Sequence, residues 1–393
     1  MSSDQFEIVE RPNSLMNIHR TDTSFSTGTD RHLLRTSAFI LAGGQGERLY
    51  PLTQSRPKPA VSFGGMFRII DFTLFNCLHS GLSRVSLLTQ YKYEELHRYI
   101  RVGWSDLWNR TTACREPLLC LPPLTGKRYR GTADAIFQNV NLVHSDSDFV
   151  LVLAGDHIYQ MDYRALIDQH IETNAELTVA AVEYPLQDAG SFGVVQVDES
   201  FRITGFEEKP PIPCPLASNP SMALVSMGVY VFNRPTLWAA LNLLCASGSG
   251  FDFGHHIIPA LIHSVRAYAY NFWDKTQNAP HYWRDIGTID AYYTASMELL
   301  RARSQTSARI NARAQVSRTV LSTNVEVEDN ATVYDSILMP GVHVGAGARL
   351  RHVIVEERVH VPAGFCSGLD VEIGGIHQTV SEKGVVVIAR ENK

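Results

Sequence analysis

Directly after the apolar run Ala38–Ala42 the sequence reads GGQGERLYPLTQSRPKP, from Gly43 to Pro59. Glycines placed straight after a strand let backbone N–H groups approach a phosphate closely. Arg48 and Lys58, ten residues apart on this loop, add a bidentate fork and a point charge, a pairing suited to a polyphosphate. No Gly-Lys-Ser/Thr follows, so this is not a Walker A loop, and the spacing is not that of a dinucleotide fingerprint. An ordinary glycine turn with surface cations is the plainer alternative. A second candidate is Asp156, in LAGDHIY after the apolar run Phe149–Ala154. A carboxylate there is costly without a cationic partner, and Mg2+ bridging nucleotide phosphates would supply one. Asp285, in YWRDIGT, is the candidate second ligand; an ion pair with neighbouring Arg284 is its alternative. Third, in GFEEKP from Gly205, Pro210 fixes a loop that presents Glu208 and Lys209. Lys209 is suited to a sugar phosphate and a carboxylate to sugar hydroxyls, although a charged surface turn is the more common meaning of Glu-Glu-Lys.

The elements that must position these groups are visible as short apolar runs: Ala38–Ala42, Val85–Leu88, Phe149–Ala154 and Leu177–Val182, separated by amphipathic segments. The pattern predicts an α/β fold, with a Rossmann-like, mostly parallel sheet and helical crossovers. In such sheets ligands gather at the carboxyl ends of strands, which is where Gly43–Arg48 and Gly155–His157 fall. Past about residue 305 the texture changes. A shift of 17 aligns Ile310, Val327, Val344 and Val361 in one column and Val316, Val333 and Leu350 in a second. A third holds Val325, Val342, Val359 and Ile376, with His343, His360 and His377 following. Four units of fixed period, rich in β-branched and small turn residues, predict a short C-terminal left-handed β-helix in preference to an antiparallel meander. Its histidines read as corner or surface residues, and the coil as an assembly platform.

Composition sets the frame. The chain has 393 residues and a formal net charge of −5, without the basic excess of a nucleic-acid-binding surface. No stretch approaches the roughly 20 uninterrupted apolar residues of a membrane span. The six cysteines lack zinc-site spacing and are too few for a disulfide scaffold, so a reduced, cytoplasmic protein is expected. Residues 1–36 are polar and aperiodic, without a signal peptide's apolar centre. They are expected to form a disordered extension, with Met16 an alternative start to Met1. The expected domains are 37–300, catalytic; 301–377, the β-helix; and 378–393, a tail.

Taken together the motifs resemble the sugar nucleotidyltransferases, whose signature G-x-G-x-R-x-x-P-L-T with a following Lys-Pro stands here from Gly44 to Pro59. The resemblance is closest to the bacterial glucose-1-phosphate adenylyltransferases. It is carried by KPAVSFGGMFRIIDFTLFNC from Lys58, LLTQY from Leu87, YRGTADA from Tyr129, LAGDHIY, SFGVVQVD from Ser191, FEEKP, SMGVYVF from Ser226, and YWRDIGT. It implies Mg2+-dependent transfer of AMP from ATP to glucose 1-phosphate for glycogen synthesis by a homotetramer. It implies that Gly43, Gly44 and Gly46 cradle the ATP phosphates, with Gln90 and Tyr129–Ala133 (Tyr129, Gly131, Thr132 and Ala133 among them) lining the adenine pocket. Arg48 and Lys58 offset charge on the reacting phosphates, and Asp156 and Asp285 hold the metal. Lys209 grips the sugar phosphate, with Tyr129, Gly193, Glu208 and Ser226 around the glucose. A non-catalytic regulatory paralogue, or activity on another sugar 1-phosphate, are the alternatives.

The chain also departs from the family. Ser55 stands where enterobacterial members carry a lysine linked to sugar-phosphate activators, and Arg128 where they carry a tryptophan. The link from YWRDIGT to the repeat is shorter than usual. The family's catalytic residues are all present and these regulatory ones are not, which implies an active enzyme whose allosteric activation by a sugar bisphosphate is altered or absent.

Overall fold

The computed structural model describes residues 28–112, 117–123, 126, 128–300, 307–368 and 375–390. They fall into two compact units, one drawn from Phe25–Gly44 and Phe72–Trp283, the other from Gln45–Asp71 and Arg284–Lys393.

The first unit is built on a nine-stranded sheet. Its strands are β1 (Thr36–Ala42), β2 (Arg84–Thr89), β3 (Leu119–Leu121), β4 (Phe149–Ala154), β5 (Leu177–Pro185), β6 (Gly193–Val197), β7 (Ile203–Glu208), β8 (Met222–Asn233) and β9 (Ala267–Asn271). The main path runs β7-β6-β8-β4-β1-β2-β3, with β5 and then β9 joined through β8. From β4 to β3 the pairing is parallel, as the apolar runs predict. Phe39, Ile40 and Val150–Leu153 are buried there, as strands covered on both faces should be. From β8 outward the pairing turns antiparallel: β8 runs against β4, β5 and β6. The fourth apolar run, β5, is therefore an antiparallel neighbour of β8 and a parallel one of β9. The register of β8 on β5 slips between Ser226 and Val229, a bulge of the kind that re-aims side chains beside sites.

Residues 28–36 correct the expectation of a disordered extension. Helix α1 (Gly28–Leu34) leads straight into β1, and helix α2 (Tyr93–Tyr99) follows β2. Leu33 is buried and the His32 ring meets Phe149 at 5.9 Å, tertiary contacts that a polar, aperiodic segment does not advertise. The remainder of that expected extension, 1–27, lies outside the described residues, as does Cys114.

In the second unit the 17-residue period becomes coil geometry. Strands β10 (Arg309–Ile310), β12 (Glu326–Val327), β14 (His343–Val344) and β17 (His360–Val361) pair in parallel along one side. Strands β11 (Gln315–Leu321), β13 (Thr332–Leu338), β15 (Arg349–Arg351) and β16 (Val353–Val355) form another. Ile310↔Val327↔Val344↔Val361 and Val316↔Val333↔Leu350 are ladder partners, and Val327, Val333, Val344, Leu350 and Val361 are buried. This is the left-handed β-helix. His343 and His360 stack at 4.4 Å, and His343 pairs with Glu328 at 2.8 Å. His377 leaves the column. It lies on β18 (Ile376–Val380), antiparallel to β19 (Val386–Arg390), which joins β16 in parallel. The expected tail from 378 is corrected accordingly: its strands close the coil, with Val387 and Ile388 buried. Among the described residues no helix is long and apolar enough to cross a membrane.

Candidate active site

The first unit contains a cavity of about 440 Å³, within the range of small-molecule sites. Its lining comes from segments after or beside β1, β2, β4, β7 and β8, at the carboxyl ends of the parallel strands. Gly43, Gly44, Gln90, Tyr129, Gly131, Thr132, Asp156, Glu208 and Lys209, nine of the residues expected from sequence, line it.

One wall is a clasp between two loops. Gln90 Oε1 accepts the Tyr129 amide, and Asn139 Nδ2 donates to the Tyr129 hydroxyl at 3.1 Å, orienting a ring whose burial raises its pKa. Helix α3 (Thr132–Gln138) begins at Gly131. Its Ala133 and Asp134 amides both donate to the Phe251 carbonyl, at 2.8 and 3.2 Å. Thr132 Oγ1 donates to Asp252 at 2.9 Å, and Asp252 also accepts from the Gly254 and His255 amides. Arg130 lies over the Phe251 ring at 3.7 Å and forks onto Asp134. The segment Asp252–Gly254 therefore joins the lining together with Tyr230. Sequence reasoning missed all four. The available signal was GFDFG, an acidic residue between aromatics and glycines at the end of a helical stretch.

Glu208, Lys209 and Asp156 bring further charged groups to the lining. Glu208 Oε2 sits where a side chain on Gly254 or Gly193 would be, 2.3 and 2.8 Å from the respective Cβ positions. Burial raises the Glu208 pKa, opposed by Lys209, whose Nζ is 3.7 Å away. Lys209 takes φ +50° and its side chain is more than half exposed. Asp156 follows β4, whose loop is pinned by Gly155 N–H to the Leu41 carbonyl at 3.1 Å. Next to it, His157 Nδ1 donates to the Met227 carbonyl at 3.0 Å. Three expected residues stand behind the lining. Ala133 is buried at the start of α3, Gly193 backs Glu208, and Ser226 Oγ donates to the Tyr230 hydroxyl at 3.3 Å.

The other four expected residues belong to the second unit and gather there. Gly46 takes φ +70°, and its Cβ position is 2.9 Å from Lys58 Cβ, so only glycine suits this turn. Thr53 Oγ1 donates to the Gly46 carbonyl at 2.9 Å. Lys58 is buried, and its Nζ pairs with Asp285 Oδ1 at 2.7 Å. Arg48 and Asp285 both approach Gly287, lying 3.0 and 2.8 Å from its Cβ position. Arg284 pairs with Glu298 at 3.1 Å. Arg48, Lys58 and Asp285 thus form one cluster of two cations and a carboxylate.

A phosphate-suited loop after β1, a cavity at the strand ends and a carboxylate after β4 are features suited to a nucleotide. The chain belongs to the nucleotidyl transferase family, whose model matches residues 37–302. Residues 304–388 match the GlmU-like, C-terminal hexapeptide family. The sequence is 46% identical over 271 residues to glucose-1-phosphate adenylyltransferase 2 of Alkalilimnicola ehrlichii, covering 69% of this chain and 64% of that one. It is 48% identical over 273 residues to glucose-1-phosphate adenylyltransferase 2 of Vibrio cholerae, covering 68% and 66%. It is 47% identical over 268 residues to the glucose-1-phosphate adenylyltransferase of Saccharophagus degradans, covering 67% and 63%. The matched part spans a little under two thirds of these relatives' length.

Proposed function

We propose that the protein transfers AMP from ATP to α-D-glucose 1-phosphate, giving ADP-glucose and pyrophosphate for glycogen synthesis, as a cytoplasmic homotetramer. One observation carries the reading. A single cavity takes Gly43, Gly44, Gln90, Gly131 and Thr132, suited to a nucleotide, together with Asp156, Glu208 and Lys209, suited to a metal and a sugar phosphate. The names of the relatives support the same substrates.

In this reading a sugar-phosphate oxygen attacks the α-phosphorus of ATP in line with the departing pyrophosphate. The attacking oxygen is already anionic at neutral pH, so no general base is required, and positioning and charge carry the catalysis. Gly43 and Gly44 present backbone amides to the phosphates, with Gly46 completing the turn, and the Gln90–Tyr129 and Thr132–Asp252 contacts shape the adenine side. Lys209 binds the sugar phosphate, while Glu208 accepts from a sugar hydroxyl, backed by Gly193. Ser226 acts through Tyr230. Arg48 and Lys58 offset charge on the reacting phosphates. Asp156 and Asp285 are hard oxygen donors of the kind Mg2+ prefers and would hold the ion, which would supply positive charge to offset that of the phosphates.

The test is pyrophosphate release with Mg2+, ATP and glucose 1-phosphate, against UTP, dTTP and glucosamine 1-phosphate. A clear preference for ATP with glucose 1-phosphate is expected. Folded protein inactive with every pair would replace this reading by a non-catalytic paralogue, and preference for another pair would move the substrate. Lys209→Gln removes one charge-assisted contact from a half-exposed setting. It is expected to raise the KM for glucose 1-phosphate by about 10–100-fold with kcat nearly kept. Unchanged KM with lost kcat would instead place Lys209 in the transition state.

A further inference from the structure

Lys58 sits on the short turn Lys58–Ala60, and this turn is held at both ends by one residue of the β-helix. Glu357 lies between β16 and β17. It pairs with Arg56, and it accepts from Ser62 Oγ at 2.5 Å through the same oxygen, Oε1. Both partners of the ion pair are 11% exposed. A carboxylate at a coil turn is ordinarily solvated, and burying it is costly unless it is paired. Glu356, also buried, is a second acid beside Arg56: burial raises its pKa and the Arg56 charge opposes this. On its other side the loop is held by helix α4 (Ile289–Leu299). The Tyr292 hydroxyl donates to the Ser62 carbonyl at 2.6 Å, and its ring meets Phe63 edge-on at 5.6 Å. The turn closes on itself through Ala60 N–H to Pro57 and Val61 N–H to Lys58, at 2.9 and 3.1 Å. From it Lys58 reaches Asp285.

We infer that Glu357 is a positioning residue: by clamping Arg56 and Ser62, on either side of Lys58, it fixes the Lys58 ammonium for the reaction. The coil is then a working part of the phosphate-binding loop as well as a platform for assembly. An unclamped turn keeps Lys58 but lets its Nζ wander, and a displacement of about 1 Å is enough to cost about 10²-fold in rate. The kinetic part of the inference rests on the adenylyltransferase reading; the clamp itself does not.

The test compares full-length wild type, Glu357→Ala and Glu357→Gln by hydrogen exchange and by steady-state kinetics. In Glu357→Ala the Ala60 and Val61 amides are expected to exchange about tenfold faster or more, while amides of β13 and β16 keep wild-type protection. The same variant is expected to lose about 10²-fold in kcat with an unchanged KM for glucose 1-phosphate, because Glu208 and Lys209 belong to the other compact unit. Glu357→Gln keeps an acceptor for Ser62 but loses the charge on Arg56, and should fall between the two. Wild-type exchange at Ala60 and Val61 in Glu357→Ala overturns the clamp, whatever the activity. Faster exchange spread through β13 and β16 overturns it too, since Glu357 would then simply support the coil. Faster turn exchange with wild-type kcat overturns the role in positioning Lys58. Wild type that turns over no sugar phosphate sinks the adenylyltransferase reading alone. Should the alanine variant fail to fold, the glutamine variant decides by the same readouts.

Discussion

Asp156→Asn is expected to lower turnover by about 10³-fold, equivalent to ~4 kcal/mol of barrier, with the fold retained. The side chain ends a buried strand yet is one-third exposed toward the cavity, so the substitution keeps its shape and removes its charge. A neutral amide oxygen is a poor donor for a hard divalent ion, and the phosphates lose the positive charge it would bring. The loop itself is fixed by backbone, through Gly155 N–H to Leu41, so the cost in stability should stay below about 1 kcal/mol. Two measurements separate this from a general defect. Calorimetric titration with Mn2+ should show wild-type binding weakened in the variant, and thermal unfolding should be nearly unchanged. Wild-type turnover and Mn2+ affinity in Asp156→Asn would remove the residue from the metal site.

What the sequence made legible follows from how local each signal is. Gly43 to Lys58 could be read because turn, cations and preceding strand lie within one short segment. The coil register could be read because a parallel coil repeats its own spacing: Val327 lies on Val344 for the same reason that both match at a shift of 17. The column fails at Ile376, where β18 reverses against β19, since a reversal leaves no trace in a translational period. The antiparallel half of the sheet was illegible for a similar reason. Apolar runs announce burial, and β5 is as apolar as β1, but partner and direction are settled by distant contacts. Helix α1 is two residues of apolar anchoring in a polar stretch. Asp252 escaped because its partners, Thr132 and the Gly254 and His255 amides, include a residue 120 positions away. Thr132, which was expected, belongs to the same clasp; only the far side of it was invisible.

That clasp makes Gly131→Ala the second large effect. Gly131 has φ 178°, an extended conformation open to any residue, so alanine meets no backbone strain there. The obstacle is space: an alanine Cβ would stand 2.3 Å from the Phe251 carbonyl oxygen and 2.8 Å from its carbon. This neighbour is backbone and cannot rotate away. It cannot retreat cheaply either, because the same carbonyl accepts the Ala133 and Asp134 amides of α3, and Thr132 ties the next residue through Asp252 and the Phe253 amide at 2.9 and 3.0 Å. Accommodating one methyl therefore means parting Phe251–Gly254 from α3, which strips hydrogen bonds from both and widens the cavity wall. The expected cost is about 2–4 kcal/mol of stability, and at temperatures where the variant is still folded the KM for ATP should rise about tenfold or more. Thr132→Val is the control, since it removes the hydroxyl without moving backbone and should cost only about 1–2 kcal/mol. If Gly131→Ala melts and binds ATP like wild type, the two loops are not clasped through Phe251. If the valine variant is as damaged as the alanine one, the Thr132 hydroxyl holds the wall, and the close approach at Gly131 is incidental.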